Sequence, residues 1–169
     1  MELLRIVGPS GSGKSLLITM LVEALRSRGH RIATVTRRAD AITVISLSTG
    51  SRVTLEQHAG FSALRSIVGA IDPAVDLVLA EGFEDPGAPA IEVRPHGAAP
   101  ATVDARDLVA VVASDELAAA FAQSGPGDVF GLADRIEQVL FGIEPPLAPE
   151  EPEPRPRRGF LSRLRRARD

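Results

Sequence analysis

The 169-residue chain contains no cysteine, which excludes disulfide scaffolds, thiolate zinc sites and cysteine nucleophiles together. Its three histidines, His30, His58 and His96, stand in unrelated contexts and do not compose a histidine-rich metal site. His30 follows a glycine and is expected to be exposed, and His58 is expected on a helix surface. No run of about 18 apolar residues occurs, so the sequence offers no membrane-spanning helix. The opening Met1-Glu2-Leu3-Leu4-Arg5 lacks the basic start and long apolar stretch of a secretory signal, and a soluble cytoplasmic protein is the expectation. Lysine is nearly absent as well: Lys14 stands alone beside 18 arginines. Arginine serves in this chain wherever any positive charge suffices. The single lysine therefore points to a position that needs a compact ammonium on a flexible stem rather than a planar fork.

What is present is enough apolar material for one core. Hydrophobic residues make up 44% of the chain, and a domain of this size buries roughly 70% of the surface that its unfolded chain exposes. Residues 2–8 read as a short buried strand running into glycine. Leu16, Leu17, Met20, Leu21, Ala24 and Leu25 then recur at helical spacing, and Gly29 is a left-handed stop after arginines that suit the negative helix end. Residues 31–36 form a second strand. From Asp40 to Leu55, alternating β-branched residues flank Ser-Thr-Gly-Ser at 48–51, the pattern of a hairpin. A helix is expected over 56–70, strands over 75–80 and 91–93, and a continuous apolar strand over 108–113, fit for the middle of a parallel sheet. Two helices should follow, over 115–122 and 128–141. Strands alternating with helices predict an α/β domain, a mostly parallel sheet with helices on both faces.

Composition changes abruptly after Ile143. Residues 144–154 hold five prolines and four glutamates, and 155–168 hold seven arginines. We therefore divide the chain into a domain, 1–143, with 12 basic and 17 acidic residues, and a tail, 144–169, with 7 basic and 5 acidic ones. The prolines predict an extended linker. Beyond it, Phe160, Leu161, Leu164 and Ala167 would share one helical face ringed by arginine, so 159–168 could lie on an anionic membrane or grip an acidic protein surface, or simply remain solvated. Nucleic acid is not an expected partner, because the domain is acidic.

The strongest chemical signal is Gly8-Pro9-Ser10-Gly11-Ser12-Gly13-Lys14-Ser15, which fits the Walker A pattern G-x-x-x-x-G-K-[ST] at every fixed position. Glycines let the backbone curl so that successive amides converge on phosphate oxygens. The helix that begins near Lys14 adds its positive end, Lys14 reaches the outer phosphates and the Ser15 hydroxyl coordinates magnesium. The hydrophobic strand before the motif and the amphipathic helix after it supply its required context. Ser10, Gly11, Ser12, Gly13 and Leu16 complete the expected nucleoside triphosphate cradle. Such a site also needs an acidic group at a neighbouring strand end, to hold magnesium or its water or to orient the attacking water. Glu81, after the apolar run 77–80, is best placed, and Gly82 would let the chain approach the phosphates. Asp40 is a second acidic candidate. Thr36, Arg37 and Arg38 lie at the mouth, where they could meet phosphate charge or form a solvated edge. Asp115 could accept the paired N–H donors of guanine or cap a helix. The Asn-Lys-x-Asp guanine motif is absent.

The Walker A motif, together with Leu79-Ala80-Glu81-Gly82-Phe83, Pro89-Ala90-Ile91-Glu92-Val93-Arg94, Arg28-Gly29-His30-Arg31-Ile32-Ala33 and His58-Ala59-Gly60-Phe61, resembles the MobB family, the molybdopterin-guanine dinucleotide biosynthesis adaptor proteins. The resemblance covers roughly residues 3–115. It implies a GTP-binding homodimer with weak Mg2+-dependent GTPase activity, which assists the guanylyltransferase that attaches GMP to molybdopterin. Gly8, Gly13, Lys14 and Ser15 would hold phosphates and magnesium, with Glu81 in the same site. Two positions depart from the family pattern: Thr36-Arg37-Arg38-Ala39-Asp40 replaces a stretch with lysine and histidine or aspartate, and Glu84 stands where a lysine commonly follows Glu-Gly-Phe.

Two other readings compete, a small-molecule kinase and a membrane-tethered nucleotide-binding scaffold. A kinase should carry an arginine-bearing lid and an acceptor pocket. Residues 84–106 hold only Arg94 and Arg106, and no acceptor pocket is evident in the sequence.

Overall fold

The computed structural model describes residues 1–38, 41–46, 51–56, 64–94, 97–99, 103–113 and 129–144. Seven strands form one sheet: β1 (Glu2–Val7), β2 (Ile32–Arg38), β3 (Ala41–Ser46), β4 (Ser51–Glu56), β5 (Leu77–Glu81), β6 (Ala90–Arg94) and β7 (Leu108–Ala113). Their order is β4-β3-β2-β5-β1-β6-β7. The five strands from β2 to β7 run parallel, and β3 and β4 continue the sheet as an antiparallel pair. The predicted α/β class is therefore the observed one.

Alternation along the strands assigns the two faces. Leu4, Ile6, Leu77, Leu79, Ile91 and Val93 point to one face, where they meet α1 (Lys14–Ser27) and α3 (Val129–Ile136). Leu17, Leu21 and Leu25 of α1 recur at helical spacing and are wholly buried there. Each such leucine contributes roughly 1.5–3 kcal/mol of burial. Ala33, Val35, Val78 and Ala80 point to the other face and pack on α2 (Leu64–Val68), Ile71, Val75 and Phe83. The helices thus lie on both sides of the sheet, as the alternation of elements predicts.

The end of α1 shows why the sequence stops it there. Gly29 takes φ +94°, its N–H bonds the Arg26 carbonyl, and the His30 N–H reaches back to the Leu25 carbonyl. This is the Schellman arrangement that satisfies the last carbonyls of a helix. Arg28 reaches Asp134 at 2.6 Å and Glu137, tying the end of α1 to α3 and the π-helical turn Glu137–Phe141 that continues it.

Several sequence expectations require correction. His30 is not an exposed residue: its side chain is 14% exposed, bonded to Glu137 at 2.7 Å and stacked on Phe141 at 4.9 Å. The turn enforced by Gly29 aims the ring inward. The apolar strand 108–113 is not central. It forms the edge strand β7, and Val111 is 45% exposed; an unbroken apolar run does not by itself reveal how many neighbours a strand has. The helix expected from residue 56 cannot begin there, because β4 runs through Glu56, and the described helix is Leu64–Val68. The hairpin turn at 48–51 (apart from Ser51), the helix at 115–122, His58, His96 and residues 145–169 with the arginine-rich 159–168 lie outside the described residues. Among the described residues no helix is long and apolar enough to cross a membrane.

Candidate functional site

The site grows from the junction between β1 and α1. Gly8, Gly11 and Gly13 adopt φ of +141°, +77° and +96°, conformations that residues with a Cβ rarely accept. Gly8 is constrained a second time: a Cβ there would lie 2.0 Å from the Val93 carbonyl oxygen of β6. The loop therefore folds tightly against the sheet before it rises into α1. That helix has no acidic residue in its first turn and no side-chain cap, so its opening N–H groups and positive end are left to whatever occupies the loop. The ammonium of Lys14 arches back over the loop and donates to the carbonyls of Gly8 (3.0 Å) and Pro9 (2.7 Å). Ser12 is 4% exposed and its Oγ has no hydrogen-bond partner among the described residues. Unsatisfied buried hydroxyls are uncommon in folded proteins, and this one belongs to the loop.

A second half of the site comes from β5. Register places Glu81 beside Ile6 of β1 and Thr36 of β2, at the strand ends over which α1 begins. Its Oε2 accepts the Ser15 hydroxyl at 2.9 Å. Arg38, at the end of β2, reaches the same Ser15 oxygen at 3.4 Å. A hydroxyl and a carboxylate at this separation are hard oxygen donors of the kind magnesium takes alongside phosphate and water. Among the described residues no group of three or more His, Cys, Asp or Glu could itself hold a metal ion.

Gly82 has a different reason from the one expected. It adopts φ +83°, and a Cβ would stand 2.6 Å from the Arg37 carbonyl oxygen. The close approach is to β2, so Gly82 locks Glu81 against that strand. Arg37 lies over the Phe83 ring at 4.7 Å on the opposite face, a cation–π contact. The two neighbouring arginines thus diverge, and of the pair only Arg38 turns toward Ser15.

Of the residues that sequence singled out, Gly8, Ser10, Gly11, Ser12, Gly13, Lys14, Ser15 and Glu81 are brought together. Leu16 packs its side chain against the core, leaving only its backbone to the loop. Asp40 and Asp115 lie outside the described residues. The sequence made no acceptor pocket evident, and reasoning from it missed a cavity of about 580 Å³ that opens from Gly8 and Lys14 along the face opposite α1. Arg5, Val7, Phe83, Asp85 and Asp107 are among its walls. The signal was available: Arg5 is a charged residue inside the otherwise apolar run Leu3–Val7.

Solved structures of similar chains include a MobB protein homologue from Bacillus stearothermophilus, with 19% identity and a TM-score of 0.48, over 73% of this chain and 97% of that one. Bacillus subtilis MobB has 14% identity and a TM-score of 0.44, over 73% and 97%. A molybdopterin-guanine biosynthesis protein B has 24% identity and a TM-score of 0.44, over 72% and 98%. No curated protein matches the chain. A family model described as molybdopterin guanine dinucleotide synthesis protein B matches residues 3–115, the stretch that carries the glycine loop, Glu81 and the β6 motif, and the chain belongs to this MobB family.

Proposed function

We propose that this protein binds GTP with Mg2+ in the loop 8–15, hydrolyses it slowly, and serves as an adaptor to the guanylyltransferase of the pathway. Membership of the family implies a role in molybdopterin guanine dinucleotide biosynthesis; the nucleotide, the ion and the partner are our reading. The observation that carries it is the convergence of Lys14, folded over the loop carbonyls, with the Ser15–Glu81 pair at the start of α1.

In this reading the loop amides and Ser12 Oγ receive phosphate oxygens, which the positive helix end favours. Lys14 exchanges its carbonyl partners for the outer phosphates. Ser15, through its hydroxyl oxygen, and Glu81, held by Gly82 against β2, would hold the cation or its water, and Glu81 could instead orient the attacking water. Magnesium, when bound, neutralises charge between the phosphates. Arg38 stands beside Ser15, within reach of charge on the outermost phosphate. Positioning and electrostatics are all that this arrangement offers, as is usual for phosphoryl transfer. The preference for guanine and a homodimeric assembly follow from the family resemblance.

The cavity beside Lys14 favours a second reading, a kinase that seats an acceptor there. Arg106, one of the two arginines available to a lid, instead pairs with Asp104 at 2.8 Å on the exposed surface. Calorimetry with GTP, GDP and ATP in the presence of Mg2+, followed by phosphate-release assays, separates the two. Tighter binding of GTP than of ATP, with turnover far below the ordinary enzyme rate of about 10 per second, is the expected result. ATP preference with phosphate delivered to a small acceptor would replace the adaptor by the kinase. Co-purification with a guanylyltransferase tests the partner.

A further inference from the structure

Arg5 has no role in the scheme above, yet its placement is unusual. It is 6% exposed, in the middle of the β1 strand, and it lines the cavity that opens from Gly8 and Lys14. Register sets it between Ala80 of β5 and Ala90 of β6. Neither neighbour extends beyond a methyl group, so the sheet face around Arg5 is left open and the cavity lies over it. Nε and one terminal nitrogen donate to the Ala88 carbonyl, at 3.2 and 2.7 Å. The other terminal nitrogen has no partner, and no carboxylate ion-pairs with Arg5, among the described residues. Glu84, Asp85, Asp104 and Asp107 share the cavity wall, but Glu84 is exposed to solvent, Asp85 pairs with Arg65, Asp104 pairs with Arg106 and Asp107 accepts the Gly87 N–H.

Burial of a guanidinium with one neutral carbonyl as its partner is unfavourable, because the lost hydration is not offset by an opposite charge. The same fork, clamped through one edge, presents its remaining N–H groups in a fixed plane suited to an oxyanion. The cavity volume is in the range that holds small organic ligands. Along β1, Arg5 lies three residues, roughly 10 Å, below Gly8, so an anion on Arg5 would be separate from phosphate in the loop.

We infer that Arg5 forms the floor of a second ligand subsite, which takes the oxyanion of a small organic molecule, a phosphomonoester or a carboxylate, while the loop holds nucleotide. The inference rests on the nucleotide reading only for the identity of the neighbour. The Arg5 subsite itself stands on the buried, unpaired charge and the cavity.

The test uses the full chain saturated with the non-hydrolysable triphosphate GMPPNP and Mg2+, so that the loop is filled. Phenyl phosphate and benzoate are titrated separately by calorimetry, and the Arg5 Nε–H resonance, assigned by its loss in Arg5→Lys, is followed in the wild-type protein. At least one probe should bind and shift that resonance, and the stronger of the two identifies the anion class. Arg5→Gln, which keeps a donor and removes the charge, should weaken binding at least tenfold, and Arg5→Lys should weaken it less. Absence of binding and of a resonance shift with both probes would overturn the inference, as would full-strength binding to Arg5→Gln. If GMPPNP itself does not bind, the triphosphate reading fails, and the same titrations without nucleotide still judge Arg5 on its own.

Discussion

Replacement of Gly8 by alanine tests how tightly the loop is tied to the sheet, and Gly11→Ala supplies its control. Both glycines have positive φ, +141° and +77°, and both substitutions stiffen the unfolded chain in the same way. They differ in surroundings. A Cβ at Gly11 meets nothing within 4 Å among the described residues, whereas one at Gly8 would lie 2.0 Å from the Val93 carbonyl oxygen. Ordinary contact begins near 3.4 Å, so loop or strand must move by about 1.4 Å. The atom in the way is main chain of β6, which is hydrogen-bonded between β1 and β7 and cannot swing aside. A shift of that size breaks one or two ladder hydrogen bonds, at about 1 kcal/mol each, in addition to about 1–3 kcal/mol of backbone strain. Gly8→Ala should therefore cost about 2–5 kcal/mol, against about 1–2 kcal/mol for Gly11→Ala. With a urea slope of about 2 kcal/mol per molar, mid-range for small proteins, the unfolding midpoint of Gly8→Ala should fall by about 1–2.5 M, and clearly below that of Gly11→Ala. Equal midpoints for the two variants would refute the claim that the loop is pressed on β6.

Three further outcomes follow from other parts of the structure. The Asp76 carboxyl is held down to about 2 by hydrogen bonds from the Arg31 side chain and backbone. Its ionised form therefore stabilises the fold above the ordinary carboxylate range, and that contribution is lost as pH falls from about 4 through about 2; Asp76→Asn should flatten the stability profile in that window, as read by thermal melting. Glu137, 12% exposed, joins Arg28 and His30 at the foot of α1, so Glu137→Ala should cost about 1.5–3 kcal/mol in urea unfolding, and an effect below about 0.5 kcal/mol, typical of an exposed site, would contradict this clamp. Glu81→Gln should slow GTP hydrolysis more than it weakens GTP binding, measured by phosphate release and calorimetry; the reverse order would make Glu81 a binding group alone.

Much of the site was legible because its chemistry is local in sequence. The glycine spacing of 8–13 prescribes the turn, the apolar runs on either side prescribe strand and helix, and Glu81 follows a strand whose pattern is plain. Glu81 could be matched to Ser15 only by inference, since 66 residues separate them and it is the parallel register of β1 and β5 that unites them. What the sequence hid depends on neighbours across the sheet. The 108–113 strand reads as central from its composition, yet it stands at the edge, with Val111 exposed. Gly82 reads as a residue that makes room for phosphate, whereas the contact that demands glycine is the Arg37 carbonyl. His30 reads as a surface residue because nothing in its local sequence announces Glu137 and Phe141, more than 100 residues later. Arg5 is the sharpest case, since only register shows it flanked by alanines beneath a cavity. The divergence of Arg37 and Arg38 to opposite faces is alternation along a strand, and was readable once β2 was known to extend to Arg38.

The central claim is that the loop between β1 and α1 is a triphosphate cradle closed by the chain's only lysine. Titration of GTP and Mg2+ into the wild-type and Lys14→Ala proteins tests it most directly, with circular dichroism to verify the fold of both. Saturable binding to the wild type that is lost in folded Lys14→Ala is the predicted result. Absence of binding to the wild type, or unchanged affinity in Lys14→Ala, would contradict the account.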